Sequence, residues 1–137
     1  MKAITVKQPF AALIAAGAKR TENREFRPLS VLTTRGKRLA IHAGKYKPTV
    51  ADIEEARRLA REDSDISLKH AKRVLGEDRE SWAYQRVVAV VTVGEPRPDG
   101  NGGWRWPLSD VRAATSAEVR GQQRLFDIPT RQIRYVS

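Results

Sequence analysis

Arg86-Val87-Val88-Ala89-Val90-Val91-Thr92-Val93 is the most strand-like stretch of the chain, β-branched and apolar enough to form the centre of a sheet. Working outward from it, 96–103 is rich in Pro and Gly and reads as a turn connection. Trp104-Arg105-Trp106 then alternates as a returning strand, completing a hairpin. The tail at 128–136 predicts a last edge strand with Ile133 and Tyr135 on one face. Toward the N-terminus, Ala3-Ile4-Thr5-Val6-Lys7 alternates apolar and polar side chains and predicts a short strand. Pro9 suits the first turn of a helix, and Phe10, Leu13 and Ile14 follow at helical spacing until Gly17 supplies a left-handed stop, giving a helix over about 9–16. Strand spacing over 21–25 puts Glu22 and Arg24 on one face and Thr21, Asn23 and Glu25 on the other. A firmer strand spans 37–43, with Leu39 and Ile41 toward the core and Arg38, Ala40 and His42 opposite.

Between 49 and 75 the period becomes helical. Thr49 can cap, Ile53, Ala56, Leu59 and Ala60 make one stripe, Leu68, Ala71, Val74 and Leu75 make another, and Gly76 ends the second helix. Mixed charges along this stretch predict a solvated lid or buttress. Many short strands around few helices favour an α+β fold, a small, partly open β-barrel with flanking helices, over a doubly wound parallel sheet. At 137 residues the chain is sized for a single domain spanning 1–137, with the helical stretch at about 50–80 as an insertion.

With 40% hydrophobic and 31% charged residues the composition is that of a globular protein. There is no cysteine, which excludes disulfides, thiolate zinc sites and thiol catalysis and permits a reducing compartment, the cytoplasm by default. The opening MKAITVKQPF lacks the apolar run of a signal peptide, and no membrane-length apolar stretch follows, so the chain is expected to be neither exported nor embedded. The net charge is +10, and residues 1–51 hold eleven Lys and Arg against Glu22 and Glu25. Such a field attracts phosphates and releases their counterions, which makes RNA, DNA or a nucleotide the natural partner; solubility alone is the competing explanation. Two histidines 28 positions apart make no ligand cluster, so neither a resident metal nor a cofactor is expected, although a loosely bound Mg²⁺ is compatible with hydrolysis.

Four motifs follow in order: Lys7-Gln8-Pro9-Phe10-Ala11, Gly17-Ala18-Lys19-Arg20-Thr21-Glu22-Asn23-Arg24, Ile41-His42-Ala43-Gly44-Lys45 and Arg120-Gly121-Gln122-Gln123-Arg124-Leu125-Phe126. The series resembles the ASCH domain, a PUA-like β-barrel family, well over the first 45 residues and again at 120–126, with no contribution from 50–85. The resemblance implies a PUA-like partly open barrel with a cleft beside the first helix, and recognition of RNA or of a modified nucleoside. One branch of the family resembles an amidohydrolase of acylated cytidines that uses a lysine, a threonine and a glutamate. Another is a ribonuclease, and others are RNA binders. Lys19 matches the lysine of the hydrolase branch, but Glu22 stands where its threonine is expected. A glutamate can act as a general base on water but does not replace a hydroxyl nucleophile, so the threonine mechanism does not transfer. In the last motif Arg124 replaces the usual glycine and Phe126 the usual tryptophan.

The candidate catalytic residues are therefore Lys19, to stabilise a developing oxyanion or phosphorane, and Glu22, to activate water. The competing role for Lys19, Glu22 and Arg24 is an ion-pair network at the barrel mouth. Candidate nucleic-acid or nucleotide contacts are Lys7, Gln8, Arg24, Arg38, His42, Lys45 and Gln122. Lys45 suits a phosphate. Gln8 has an amide able to read a base edge or to cap the first helix. His42 can donate to a phosphate or transfer a proton, or simply pack. Gln122 and Gln123 suit a loop closing on a ligand, and Trp82, Tyr84, Trp104 and Trp106 can stack unpaired bases, with at least two of the four expected in the core. Three functions follow: a binder of single-stranded RNA or a modified nucleoside, a hydrolase of such substrates, or a protein-interaction adaptor marked by an exposed apolar patch.

Overall fold

Valine dominates 87–93, and that stretch takes the interior place in the sheet that its composition predicts. A computed structural model describes residues 1–28 and 38–136. The order is β1 (Lys2–Val6), α1 (Phe10–Ala15), β2 (Thr21–Arg24), β3 (Leu39–Ala43), α2 (Val50–Glu62), α3 (Leu68–Leu75), β4 (Val87–Val93), β5 (Arg97–Pro98), β6 (Trp104–Thr115), β7 (Phe126–Asp127) and β8 (Arg134–Tyr135). The main path across the sheet is β2-β6-β4-β3-β1-β7, with β5 and β8 pairing further along β6. β1 and β3 run parallel, with Ala3 beside Ala40 and Thr5 beside His42, and the other pairs are antiparallel. A parallel pair needs a crossover, and α1 lies in the connection that supplies it. The result is an α+β fold whose sheet curls into an open half-barrel.

Curvature comes from two irregularities of register, between Ile41 and His42 and between Val90 and Thr92. At the second, Asp110 of β6 is left over in the left-handed region at φ 47. β6 runs for twelve residues, longer than the three expected, and changes partner along its length: its first part pairs with β2 and β5, its second with β4 and β8. The tail is shorter than expected. A 3₁₀ turn at Thr130–Gln132 follows Pro129, leaving only two residues in β8, with Ile133 buried and Tyr135 exposed.

All five residues of β3 are buried, since both faces of the sheet are covered. On one face Ile4, Val6, Ile41, Val91 and Trp106 pack with Ala11 and Ile14 of α1. On the other, Ala3, Ala40, Val87 and Val90 pack under Phe126, Ile128 and Ile133 of the C-terminal segment. The face opposite Leu39 and Ile41, expected to carry Arg38, Ala40 and His42, is thus covered as well, and Ala40 and His42 are buried on it. Lys37, expected to begin the strand, lies outside the described residues, as does Arg35.

The remaining side of α1 buries Leu13, with Ala18, against Ala56, Ala60, Ala71, Val74 and Leu75 of the helical pair. α2 begins with a reciprocal cap: Thr49 Oγ1 accepts from the Asp52 N–H at 3.1 Å and Asp52 Oδ2 accepts from the Thr49 N–H at 2.8 Å, an arrangement worth about 1 kcal/mol. The connection from α2 to α3 docks on the chain between α1 and β2, where the Ser67 N–H donates to Ala18 O at 2.7 Å and the Arg20 N–H to Asp65 O at 3.0 Å. Gly17, at φ +74, ends α1 and turns the chain into that docked segment. Among the described residues no helix is long and apolar enough to cross a membrane.

Candidate functional site

Lys19 leaves the Gly17 turn pointing inward, and its side chain is only 8% exposed. An ammonium so placed must find acceptors. Its Nζ donates to the carbonyl of Thr21 and lies 3.8 Å from Glu22 Oε1. Burial lowers the Lys19 pKa below its usual value, with the carboxylates of Glu22 and Asp63 opposing that shift. Glu22, equally buried, takes Arg24 on its other oxygen. Arg24 Nε donates to Oε2 at 2.9 Å, and Nη2 approaches the same atom at 2.7 Å while also donating to Thr5 O at 2.6 Å. The i, i+2 spacing in β2 that puts Glu22 and Arg24 on one face thus makes an ion triad joined to β1. Among the described residues no hydrogen bond reaches Glu22 Oε1, so this oxygen and the remaining protons of Lys19 Nζ form an adjacent acceptor and donor.

The triad lies in a cleft of about 1060 Å³ whose walls come from β1, α1, β2, the turn after β3 and the loop 119–123. The volume suits a small organic ligand or a nucleotide unit. Of the expected site residues, Lys7, Lys19, Glu22, Arg24, His42, Lys45 and Gln122 line it. Arg120 joins them, so five cations and one carboxylate line the cleft.

His42 belongs to the wall rather than to the opening, being fully buried. Its Nε2 lies 2.6 Å from Val119 O and its Nδ1 3.1 Å from Thr5 Oγ1. A carbonyl only accepts, so Nε2 carries the proton and Nδ1 accepts from the threonine hydroxyl. Burial depresses the imidazole pKa below its usual value, which keeps the ring neutral, and the Phe126 ring packs edge-on at 5.5 Å. Against this ring sits Gly121, where an added Cβ would fall 2.5 Å from Thr5 Oγ1 and 3.0 Å from His42 Cε1. His42 therefore seats the loop that carries Arg120, Gln122 and Gln123.

Two expected contacts are placed elsewhere. Gln8 is 3% exposed; its Oε1 accepts from the Ala12 N–H at 2.9 Å and its Nε2 donates to Ala83 O at 2.8 Å, so the amide is spent on holding α1. Arg38 spans the register irregularity of β4 and β6, donating to Thr92 Oγ1 and Asp110 Oδ2 at 2.8 Å each and to Val90 O at 3.0 Å. The four expected stacking aromatics also lie away from the cleft lining. Trp82 and Trp106 are core, Tyr84 donates its hydroxyl to Arg79 O at 2.8 Å, and Trp104 carries the Arg27 guanidinium 4.7 Å from its ring. The aromatics in the cleft are Phe10 and Tyr46. Phe10 was hidden in the helical pattern of α1, whereas Tyr46, an aromatic in the polar turn after Gly44-Lys45, was a readable signal. Gln85 reaches the cleft only through the fold, in a left-handed conformation at φ 53.

A groove of about 540 Å³ lies between the C-terminal end of α2 with the segment 63–65 and the strands β5 and β6, but its charges are paired: Arg105 holds Asp65 at 2.7 Å and Asp63 at 3.2 Å, and Arg97 holds Asp65 at 3.1 Å. Among the described residues no cluster of metal-ligating side chains occurs. The chain matches no protein-family model and no curated protein.

Proposed function

We propose that the cleft binds a nucleotide or a short single-stranded RNA, with phosphate held by Lys7, Lys45 and Arg120 and a nucleobase or its modification directed toward Lys19 and Glu22. The observation that carries this reading is a concavity of about 1060 Å³ lined by five cationic side chains and one carboxylate, of which Lys19 and Arg24 pair with that carboxylate and Lys7, Lys45 and Arg120 do not. Residues of all four ASCH-like motifs contribute to the cleft lining, among them Phe10, Lys19, His42 and Gln122, which supports membership of that PUA-like family. Not all of the N-terminal charge serves this purpose, since Lys2 pairs with Asp127 and Lys47 with Glu80.

The test is fluorescence anisotropy with a labelled single-stranded RNA over a range of salt. Each phosphate contact contributes about 0.7 to the slope of log affinity against log salt, so Lys45→Glu and Arg120→Glu are expected to weaken binding and flatten that slope. Salt-insensitive binding, or none, removes the phosphate reading and favours an adaptor.

The buried Lys19 beside Glu22 favours hydrolysis as a second reading. In that chemistry water adds to an acyl carbon or phosphorus, and Glu22 takes its proton. Lys19 stabilises the oxyanion, and the proton returns to the amine or alcohol that leaves. Incubation with acylated cytidines and RNA, with and without Mg²⁺, followed by mass spectrometry, is expected to show products that Lys19→Ala and Glu22→Gln abolish while ligand binding remains measurable. No product with tight, salt-sensitive binding leaves the protein a reader.

A further inference from the structure

We propose that Tyr46 is a stacking platform that makes the cleft select a ligand carrying an aromatic base beside its phosphate, over a sugar phosphate without a base. This rests on the phosphate-binding reading of the same cleft. Large rings ordinarily fill cores, as Trp82, Trp106 and Phe126 do here, whereas Tyr46 is 76% exposed on the cleft wall. The other aromatic of the cleft, Phe10, is half-buried and flanked by two ammonium groups, Lys7 Nζ at 5.8 Å and Lys19 Nζ at 5.9 Å from its centroid. The Tyr46 ring carries a cation too, Lys45 Nζ at 5.0 Å, but its exposure leaves ring surface open to a ligand.

The turn that presents Tyr46 is fastened at both ends. Before it, the Gly44 N–H donates to Val6 O at 2.9 Å; after it, Lys47 pairs with Glu80 and Arg79 Nη1 donates to Pro48 O at 2.8 Å. A ring held out by an anchored turn loses little further freedom when a base stacks on it. Consecutive residues thus offer a phosphate-binding ammonium and a base-sized aromatic face, the pairing by which single strands are held without regard to base identity. Gln122 and Gln123 in the loop that also lines the cleft supply amides able to meet a base edge.

The experiment is calorimetric titration of the full chain with AMP, CMP and ribose 5-phosphate, using wild type, Tyr46→Ala and Tyr46→Phe. Because Tyr46 is exposed, both variants are expected to keep the wild-type Tm. Tyr46→Ala is expected to weaken AMP and CMP roughly ten- to a hundredfold, the measured range for losing one stacked base, while ribose 5-phosphate changes by less than about twofold. Tyr46→Phe, which keeps the ring, is expected to bind all three as wild type does. Unchanged nucleotide affinity in Tyr46→Ala, or an equal loss for ribose 5-phosphate, overturns the stacking role and leaves the cleft a phosphate site. If wild type binds none of the three ligands, the nucleotide reading and the stacking role fall together.

Discussion

A neutral imidazole is built into the wall of the cleft, and it gives the protein a pH dependence of known sign. The surroundings of His42 are Thr5, Gln85, Val119, Gly121 and Phe126, none of them charged, so burial outweighs the main-chain contacts with Val119 and Gln85 that favour a cation. Its pKa in the folded chain lies below the ordinary 6.5 that it regains on unfolding. As pH falls below 6.5 the unfolded chain takes up the proton first, so stability is lost through the window between the unfolded and folded values and is fully present above it. Thermal unfolding between pH 7.5 and 5 is expected to show Tm falling with acid, as stability declines by up to about 1.4 kcal/mol per pH unit. His42→Gln, whose Nε2 can donate to the same Val119 carbonyl, is expected to remove most of that slope. A slope unchanged by this substitution places the titrating group elsewhere. At this scale residue type was legible and partner was not. Gln8, Arg38 and His42 each have the chemistry of a ligand contact, yet each is occupied by hydrogen bonds to chain segments more than thirty positions away.

Elements are positioned by contacts of the same reach. The loop 119–123 has no secondary structure of its own and is seated by the His42 hydrogen bond, by the Val119 N–H donating to Gln85 O at 2.7 Å, and by the absence of a side chain at Gly121. Thr5 and His42 are on neighbouring strands inside the sheet, where backbone shifts are costly, so a methyl group at 121 must push the loop outward. Gly121→Ala is expected to cost about 1–3 kcal/mol in denaturant unfolding, the usual range for overpacking. No loss of stability means the loop is not seated as described. β6 shows the opposite limit. Pro107 within it lacks an N–H and conceals a twelve-residue strand, but it falls where β6 pairs with β2, and its carbonyl still accepts from the Gly94 N–H at 2.8 Å. The capped helix α2, the Gly17 stop and the valine-rich β4 were legible because their signals lie within one or two turns of chain.

At the scale of the molecule, the helical pair acts as a buttress behind the cleft. Its link to the sheet runs through Arg105 of β6, whose guanidinium holds Asp63 and Asp65 between α2 and α3, and through the main-chain bonds that join 65–67 to 18–20. Lys19 is in the middle of that seam, so the helices fix the position of the residue at the cleft floor. Arg105→Ala is expected to cost about 1–2 kcal/mol, because these ion pairs are only partly buried. Hydrogen exchange should quicken at the Ser67 and Arg20 amides while the β4 amides stay protected. Equal acceleration throughout means that helices and sheet open as one unit. The sequence by itself determined the strands β1 to β4, the helices, the α+β class and the basic balance of the first 51 residues, because periodicity, caps and charge are local properties. Only the tertiary structure decided which charges form a site. Lys7, Lys19, Arg24, Lys45 and Arg120 line one cleft with Glu22, while Lys2, Arg38 and Lys47 are paired elsewhere. Electrostatic field and hydrogen bonding depend on distance through space, and that distance is set by the register of β1, β2 and β3 rather than by position along the chain.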